Sequence, residues 1–229
     1  MADAVIKHWL LNLAVEMPVW LRSVIPEVRS QALNVKPVPH CGATDYAEAL
    51  IELLDSGMIT MSSEFPEDDV ETRFGIGRIL DRFLALPEDV RQVPIFSWSR
   101  SSQVSFKMTA LGGEAWEGIA EPDWTHILTE SSDLEVGELF SPNRDLLMAY
   151  MGWYGKLSSS QIQFDTVSWQ THSNFEILYW KRLPLVHHAS FSLQPVEGKF
   201  QSWPTWFYEW FFAKRWHKDP WDLPGWPLE

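Results

Sequence analysis

Met108-Thr109-Ala110-Leu111-Gly112-Gly113-Glu114-Ala115-Trp116-Glu117 is the stretch on which the fold turns. It joins a strand-like run, Val104-Ser105-Phe106-Lys107-Met108, to a segment that reads as a helix over Ala110–Ile119. Thr109 stands at the junction, where a hydroxyl can cap the first N–H groups of the helix. Upstream, Ile95-Phe96-Ser97-Trp98 and the polar turn Ser99–Ser102 would complete a hairpin with Val104–Met108.

Working further towards the N-terminus, the spacing predicts two more helices. Thr44 is a good cap for Asp45–Ser56, with Asp45 and Glu48 in the first turn and Gly57 as the stop. Ala47, Leu50, Ile51 and Leu54 form its apolar stripe, and Met58-Ile59-Thr60-Met61 follows as a short strand. A second helix is expected from about Glu67-Asp68-Asp69 to Leu86, before Pro87. At the start of the chain, Ile6, Trp9, Leu10, Leu13 and Met17 follow helical spacing up to Pro18. This segment carries Asp3 and Lys7, is broken by Asn12 and lacks a small-residue cleavage site, so it does not read as an export signal. No apolar run approaches the roughly 20 residues that span a bilayer, so a cytoplasmic protein without a membrane segment is expected.

The order helix, strand, helix, hairpin, helix over residues 44–120 resembles that of bacterial winged-helix domains. In many of them a strand-ending Leu-Thr or similar pair is followed by Gly and a helix, as Met108-Thr109 is followed by Gly112-Gly113 here. The resemblance covers about a third of the chain and implies a winged-helix fold for that part. It does not assign a function, since one fold hosts many.

The 229 residues include 31 acidic and 18 basic side chains, a formal charge of −13, and fourteen tryptophans. A 45% apolar content excludes generic disorder. Charge and tryptophan separate along the chain. Residues 1–150 hold 24 acids against 11 bases, whereas residues 151–229 hold 7 of each and nine of the fourteen tryptophans. An acidic winged-helix-like unit over 1–150 and a Trp-rich strand-plus-helix unit over 151–229 are therefore expected, in an α+β protein. In the second unit, Gln161–Trp169, Asn174–Leu183 (stopped by Pro184) and Val186–Leu193 read as three antiparallel strands. Pro204 would open an aromatic-rich C-terminal helix over Thr205–His217.

No catalytic motif stands out. Cys41, the lone cysteine, excludes an internal disulfide, and its neighbour His40 is badly placed to activate it. His187 and His188 would point to opposite faces of a strand and so cannot share one metal ion. Gly75-Ile76-Gly77 lacks the third glycine of a dinucleotide fingerprint. We therefore expect no enzyme activity, no cofactor and no metal. The composition instead points to a binding protein whose acidic face meets a basic protein partner, as an immunity protein meets a toxin domain. Opposite charge speeds such encounters. The candidate contacts are the carboxylates of Glu64–Glu71 and Glu114–Asp133, among them Glu64, Glu67, Asp68, Asp69, Glu71, Glu114, Glu117, Glu121 and Asp123. The alternative is a winged-helix transcriptional regulator that reads DNA with Arg73, Arg78, Arg82 and Arg100, its C-terminal unit sensing a ligand or dimerising. The acidic surroundings of these arginines disfavour nucleic acid, whose binding draws on phosphate contacts.

Overall fold

The computed structural model describes residues 2–24, 38, 41–63, 104–133, 135–157, 160–195 and 216–217. Helices and antiparallel sheets alternate along them, so the protein is α+β. The chain divides into two compact units, Met1–Ala120 with Asp219–Glu229, and Glu121–Lys218. The change of composition at 150/151 runs through a helix of the second unit.

The first unit contains α1 (Ala2–Leu13), β1 (Val19–Trp20), α2 (Ala43–Asp55), β2 (Ile59–Ser63), β3 (Val104–Met108) and α3 (Ala110–Ala120). Its sheet runs in the order β1-β3-β2, all antiparallel. Ser105 and Phe106 have β1 on one side and β2 on the other. The expected hairpin arm 95–98, and the expected helix over 67–86, lie outside the described residues. Trp9, Leu10, Tyr46, Leu50, Phe106 and Trp116 fill the core.

The junction from Met108 into α3 is built as its residues suggest. Gly112 N–H donates to Thr109 Oγ1 (3.1 Å), which caps α3. The Thr109 hydroxyl reaches the Gly57 carbonyl (2.8 Å) and its N–H donates to Met58 O (2.9 Å). One residue thus ties the end of β3 to the turn between α2 and β2. Gly112 lies so close to that turn that a Cβ would stand 2.1 Å from Met58 O, so a side chain is excluded there. Gly57 itself has φ +73°, the left-handed geometry that ends α2. The cap of α2 is Gly42 rather than Thr44, which lies inside the helix; the Asp45 carboxylate accepts the Gly42 N–H (2.7 Å).

The second unit is a sheet in the order β4-β5-β8-β6, with β7 also paired to β8. The strands are β4 (Thr129–Ser132), β5 (Val136–Ser141), β6 (Ser160–Ile162), β7 (Ser168–Leu178) and β8 (Lys181–Pro195), with α4 (Arg144–Leu157) between β5 and β6. The expected strands are redrawn: the first, Gln161–Trp169, is split between β6, a 3-10 turn at Phe164–Thr166 and the start of β7. Asn174 does not open a new strand and Pro184 does not close one; both lie within a long β7–β8 hairpin. Pro184 is tolerated because only β7 pairs with that end of β8, whose pairing with β5 begins at His187. The helix α4 was not anticipated. Asn143 starts it, its Oδ1 accepting the N–H groups of Asp145 (3.0 Å) and Leu146 (3.2 Å). Leu147, Met151 and Tyr154 of α4 pack on Leu139, Ile162, Ala189, Phe191 and Leu193 of the sheet. The expected C-terminal helix lies outside the described residues except for Trp216 and His217, which form a bend.

Candidate functional site

Between Lys107 and Arg144 the chain has eight acidic residues and no lysine or arginine. In the first unit this run supplies Glu114, exposed on α3, and Glu117, half-buried one turn on. In the second unit it supplies Glu121, Asp123, Glu130, Asp133 and Glu135, all exposed, and the half-buried Glu138. Among the described residues, no ion pair joins Glu121, Asp123, Glu130, Asp133 or Glu135 to a lysine or arginine. The acids named from the sequence as Glu64, Glu67, Asp68, Asp69 and Glu71 lie outside the described residues, as do Arg73, Arg78, Arg82 and Arg100. Glu135 and Glu138 lie beyond the stretch named from the sequence, although the same unbroken acidic run contains them.

Local bonds hold two of these carboxylates, Asp123 and Asp133, below their usual range. Asp123 accepts the Thr125 hydroxyl (2.6 Å), His126 Nδ1 (2.6 Å) and the Thr125 N–H (3.0 Å). The Thr125 hydroxyl, ahead of the other contacts, holds the Asp123 carboxyl below its usual range. Asp133 closes the turn between β4 and β5 by accepting the N–H groups of Glu135 (2.8 Å) and Val136 (2.7 Å), which lowers its pKa. Glu130 projects from β4 to α4, where Tyr150 OH (2.7 Å) and Tyr154 OH (2.8 Å) both donate to it. Burial first, then this carboxylate, pushes the Tyr154 phenol up to about 12 and the Tyr150 phenol also upwards. The edge of the sheet is thereby fixed to the helix through an exposed carboxylate.

A second polar group lies on the sheet face opposite α4. His172 Nε2 is 3.2 Å from His188 Nδ1, and His188 Nε2 is 3.4 Å from Glu138 Oε1, without hydrogen-bond alignment. A carboxylate only accepts, so the suited tautomer puts the His188 proton on Nε2 and lets Nδ1 accept from His172. Phe140 stacks on His188 at 4.3 Å and on Phe175 at 5.0 Å. Burial is the main reason that the His188 pKa is lowered, and His172 adds to it; the Glu138 charge opposes both. His172 and Glu138 approach different nitrogens of His188, so the three form a chain and not a chelate. Among the described residues no group of three or more His, Cys, Asp or Glu is placed to hold a metal ion. His187, as expected for a strand, has the opposite register parity from His188. The array depends on a pairing sixteen residues apart, and no local motif signals it.

The Cys41 thiol is pushed up by burial and then by Asp45, the reverse of what a nucleophile needs. Trp216 is buried and stacks on Trp124 at 4.9 Å, with Trp180 edge-on to Trp124 at 5.9 Å. Lys181 Nζ lies 4.9 Å above the Trp124 ring. These indoles pack on one another, as aromatic cores do. No helix among the described residues is long and apolar enough to cross a membrane.

Compared with protein-family models, curated proteins and solved structures, the chain matches none.

Proposed function

We propose that the protein is a non-enzymatic binding module of the cytoplasm that docks a basic protein partner, in the manner of an immunity protein neutralising a toxin domain. The observation that carries this reading is the acidic run between Lys107 and Arg144, whose Glu121, Asp123, Glu130, Asp133 and Glu135 are exposed. Charges of one sign, held in fixed geometry, steer an oppositely charged partner and pair with it once water is expelled. The acidic β4–β5 hairpin is already ordered by Asp133 and Glu130, so little conformational entropy is lost when it binds. The finer reading of the first unit as a winged helix draws on α2, the antiparallel β2–β3 pair and the Thr109 cap of α3.

The test is capture of the basic partner from a native lysate, followed by association rates between about 50 and about 500 mM salt. The rate should fall by at least about tenfold across that range, because exposed charges are screened. Replacing Glu114, Glu121 and Glu135 together by Lys should slow association further while leaving the circular dichroism unchanged. A salt-independent rate, or an unaffected triple variant, refutes the reading.

A further inference from the structure

The second sheet ends in two unlike edges. At one edge stands β4, four residues long, with Glu130 in it and Asp133 just beyond. At the other stands β7, eleven residues long, and among the described residues no strand lies on its outer side. Ser168, Gln170, Thr171, Ser173 and Asn174 are exposed along it. Edges are usually guarded by charge, proline or brevity. From Thr166 to Phe175 there is no charged residue and no proline.

The ladder fixes which backbone groups face outward. Ser192 directs both of its groups to the β6–β7 side: its carbonyl accepts Gln163 N–H (3.0 Å) and its N–H donates to Thr166 Oγ1 (2.8 Å). Leu193 N–H points the other way, to Glu135 O (2.7 Å). Alternation along β8 turns Ser190, His188 and Val186 towards their partners Ser168, Gln170 and His172. The N–H and C=O groups of Trp169, Thr171 and Ser173 are therefore the outward ones.

We infer that β7 is a self-pairing edge, and that two copies of this chain join antiparallel through it, with the two-fold axis at Thr171. In that register Thr171 faces Thr171 of the second copy, and Trp169 faces Ser173 of the second copy. Each such pair exchanges both of its outward N–H···O=C bonds. Threonine opposite threonine is a favourable cross-strand pair, and Gln170 meets His172 of the second copy with no like charges opposed. A second copy is the occupant that this edge suits, because an uncharged length of strand offers nothing by which to select a charged partner and is complementary to itself when antiparallel. Two molecules of charge −13 repel over acidic surfaces, and β7 offers a stretch where none of that charge has to be brought together. Only one symmetry operation is needed, and the resulting interface is closed.

Sedimentation equilibrium of the full chain from about 5 to about 200 µM reads the association directly. The mass should rise from 26.5 kDa towards twice that value. It should rise further between about 50 and about 500 mM salt, because salt screens the repulsion. This is the opposite of the salt effect expected for a basic partner, so failure of one reading leaves the other intact. Thr171→Pro removes an outward N–H but no bond to β8, so the monomer should keep its circular dichroism while dimer affinity falls at least about tenfold. In a Cys41→Ser background, Thr171→Cys should form an intermolecular disulfide under mild oxidation, since paired Cα atoms lie about 5.5 Å apart. A wild-type chain that stays at 26.5 kDa throughout, a dimer indifferent to Thr171→Pro, or a dimer that Thr171→Cys cannot cross-link overturns the inference.

Discussion

Strand β8 has two faces that differ in what they ask of their neighbours. Ala189, Phe191 and Leu193 meet α4, and are buried with no polar group among them. Val186, His188, Ser190 and Ser192 lie on the other side, where His188 is buried against Phe140 but has polar groups at both ring nitrogens. The first face is held by area and close fit. The second is held by polar matching, which adds little net stability when complete and costs more when broken. One strand thus carries two kinds of restraint, and substitutions can separate them.

The largest effect belongs to the apolar face. Phe191 packs edge-on to Tyr154 at 5.6 Å and is almost wholly buried. Phe191→Ala should lower unfolding free energy by about 3–5 kcal/mol, measured by guanidinium denaturation, because the cavity cannot collapse between sheet and helix. The same fit can be tested by adding an atom. A Cβ on Gly137 would stand 2.3 Å from Phe191 Cε2, so Gly137→Ala should cost about 1–3 kcal/mol. If Gly137→Ala is neutral and Phe191→Ala costs under about 1 kcal/mol, the contrast between the faces is wrong.

How far the sequence revealed these features depended on the range of the interaction. The Thr109 junction was legible because its cap, its glycine and its strand end lie within five residues. The β7–β8 hairpin was misread because Pro184 breaks a central strand but not one paired on a single side, and the pairing is not written locally. Helix α4 was lost for another reason. Asn143 was there as its cap, but the change from acidic to aromatic composition over the same residues suggested a boundary. The acidic run was legible from composition, but not which of its members are exposed, since Glu117 and Glu138 are half-buried. The His172–His188–Glu138 chain was not, since it exists only once three strands are in register.

Between the two faces in expected effect stands the Glu130 contact with Tyr150 and Tyr154. Glu130→Gln keeps an acceptor of similar shape and removes the charge, so a loss of about 1 kcal/mol is expected. Its clearer signature is spectroscopic. The Tyr154 pKa, pushed up to about 12, should fall part of the way towards 10 in an absorbance titration, with burial keeping the remainder. A folded pKa above the unfolded one means that the stabilisation is complete below about pH 10 and is lost as pH rises towards 12. Glu130→Gln should narrow that alkaline loss. An unchanged Tyr154 titration would show that the carboxylate does not act on the phenol.

The smallest effect tests the polar face and has the opposite sign. Burial lowers the His188 pKa below its ordinary 6.5, so the folded state favours the neutral ring. Below pH 6.5 the unfolded chain takes up a proton that the folded chain resists, and stability falls until the folded pKa is passed. Glu138 limits the fall by attracting the proton, and His172 deepens it, so the net slope reports the balance within the chain of three. Guanidinium midpoints at pH 7.5 and pH 5 should differ in this direction for the wild type. His188→Phe keeps the stack on Phe140 and removes the titration; because His172 and Glu138 are partly open to water, which can replace the lost partner, it should cost little at pH 7.5 and reduce the acid loss. Glu138→Gln removes the opposing charge, and should therefore steepen the loss due to His188. If both variants leave the pH dependence as in the wild type, the ring is not restrained by its polar neighbours. The two faces of β8 would then differ in composition but not in mechanism.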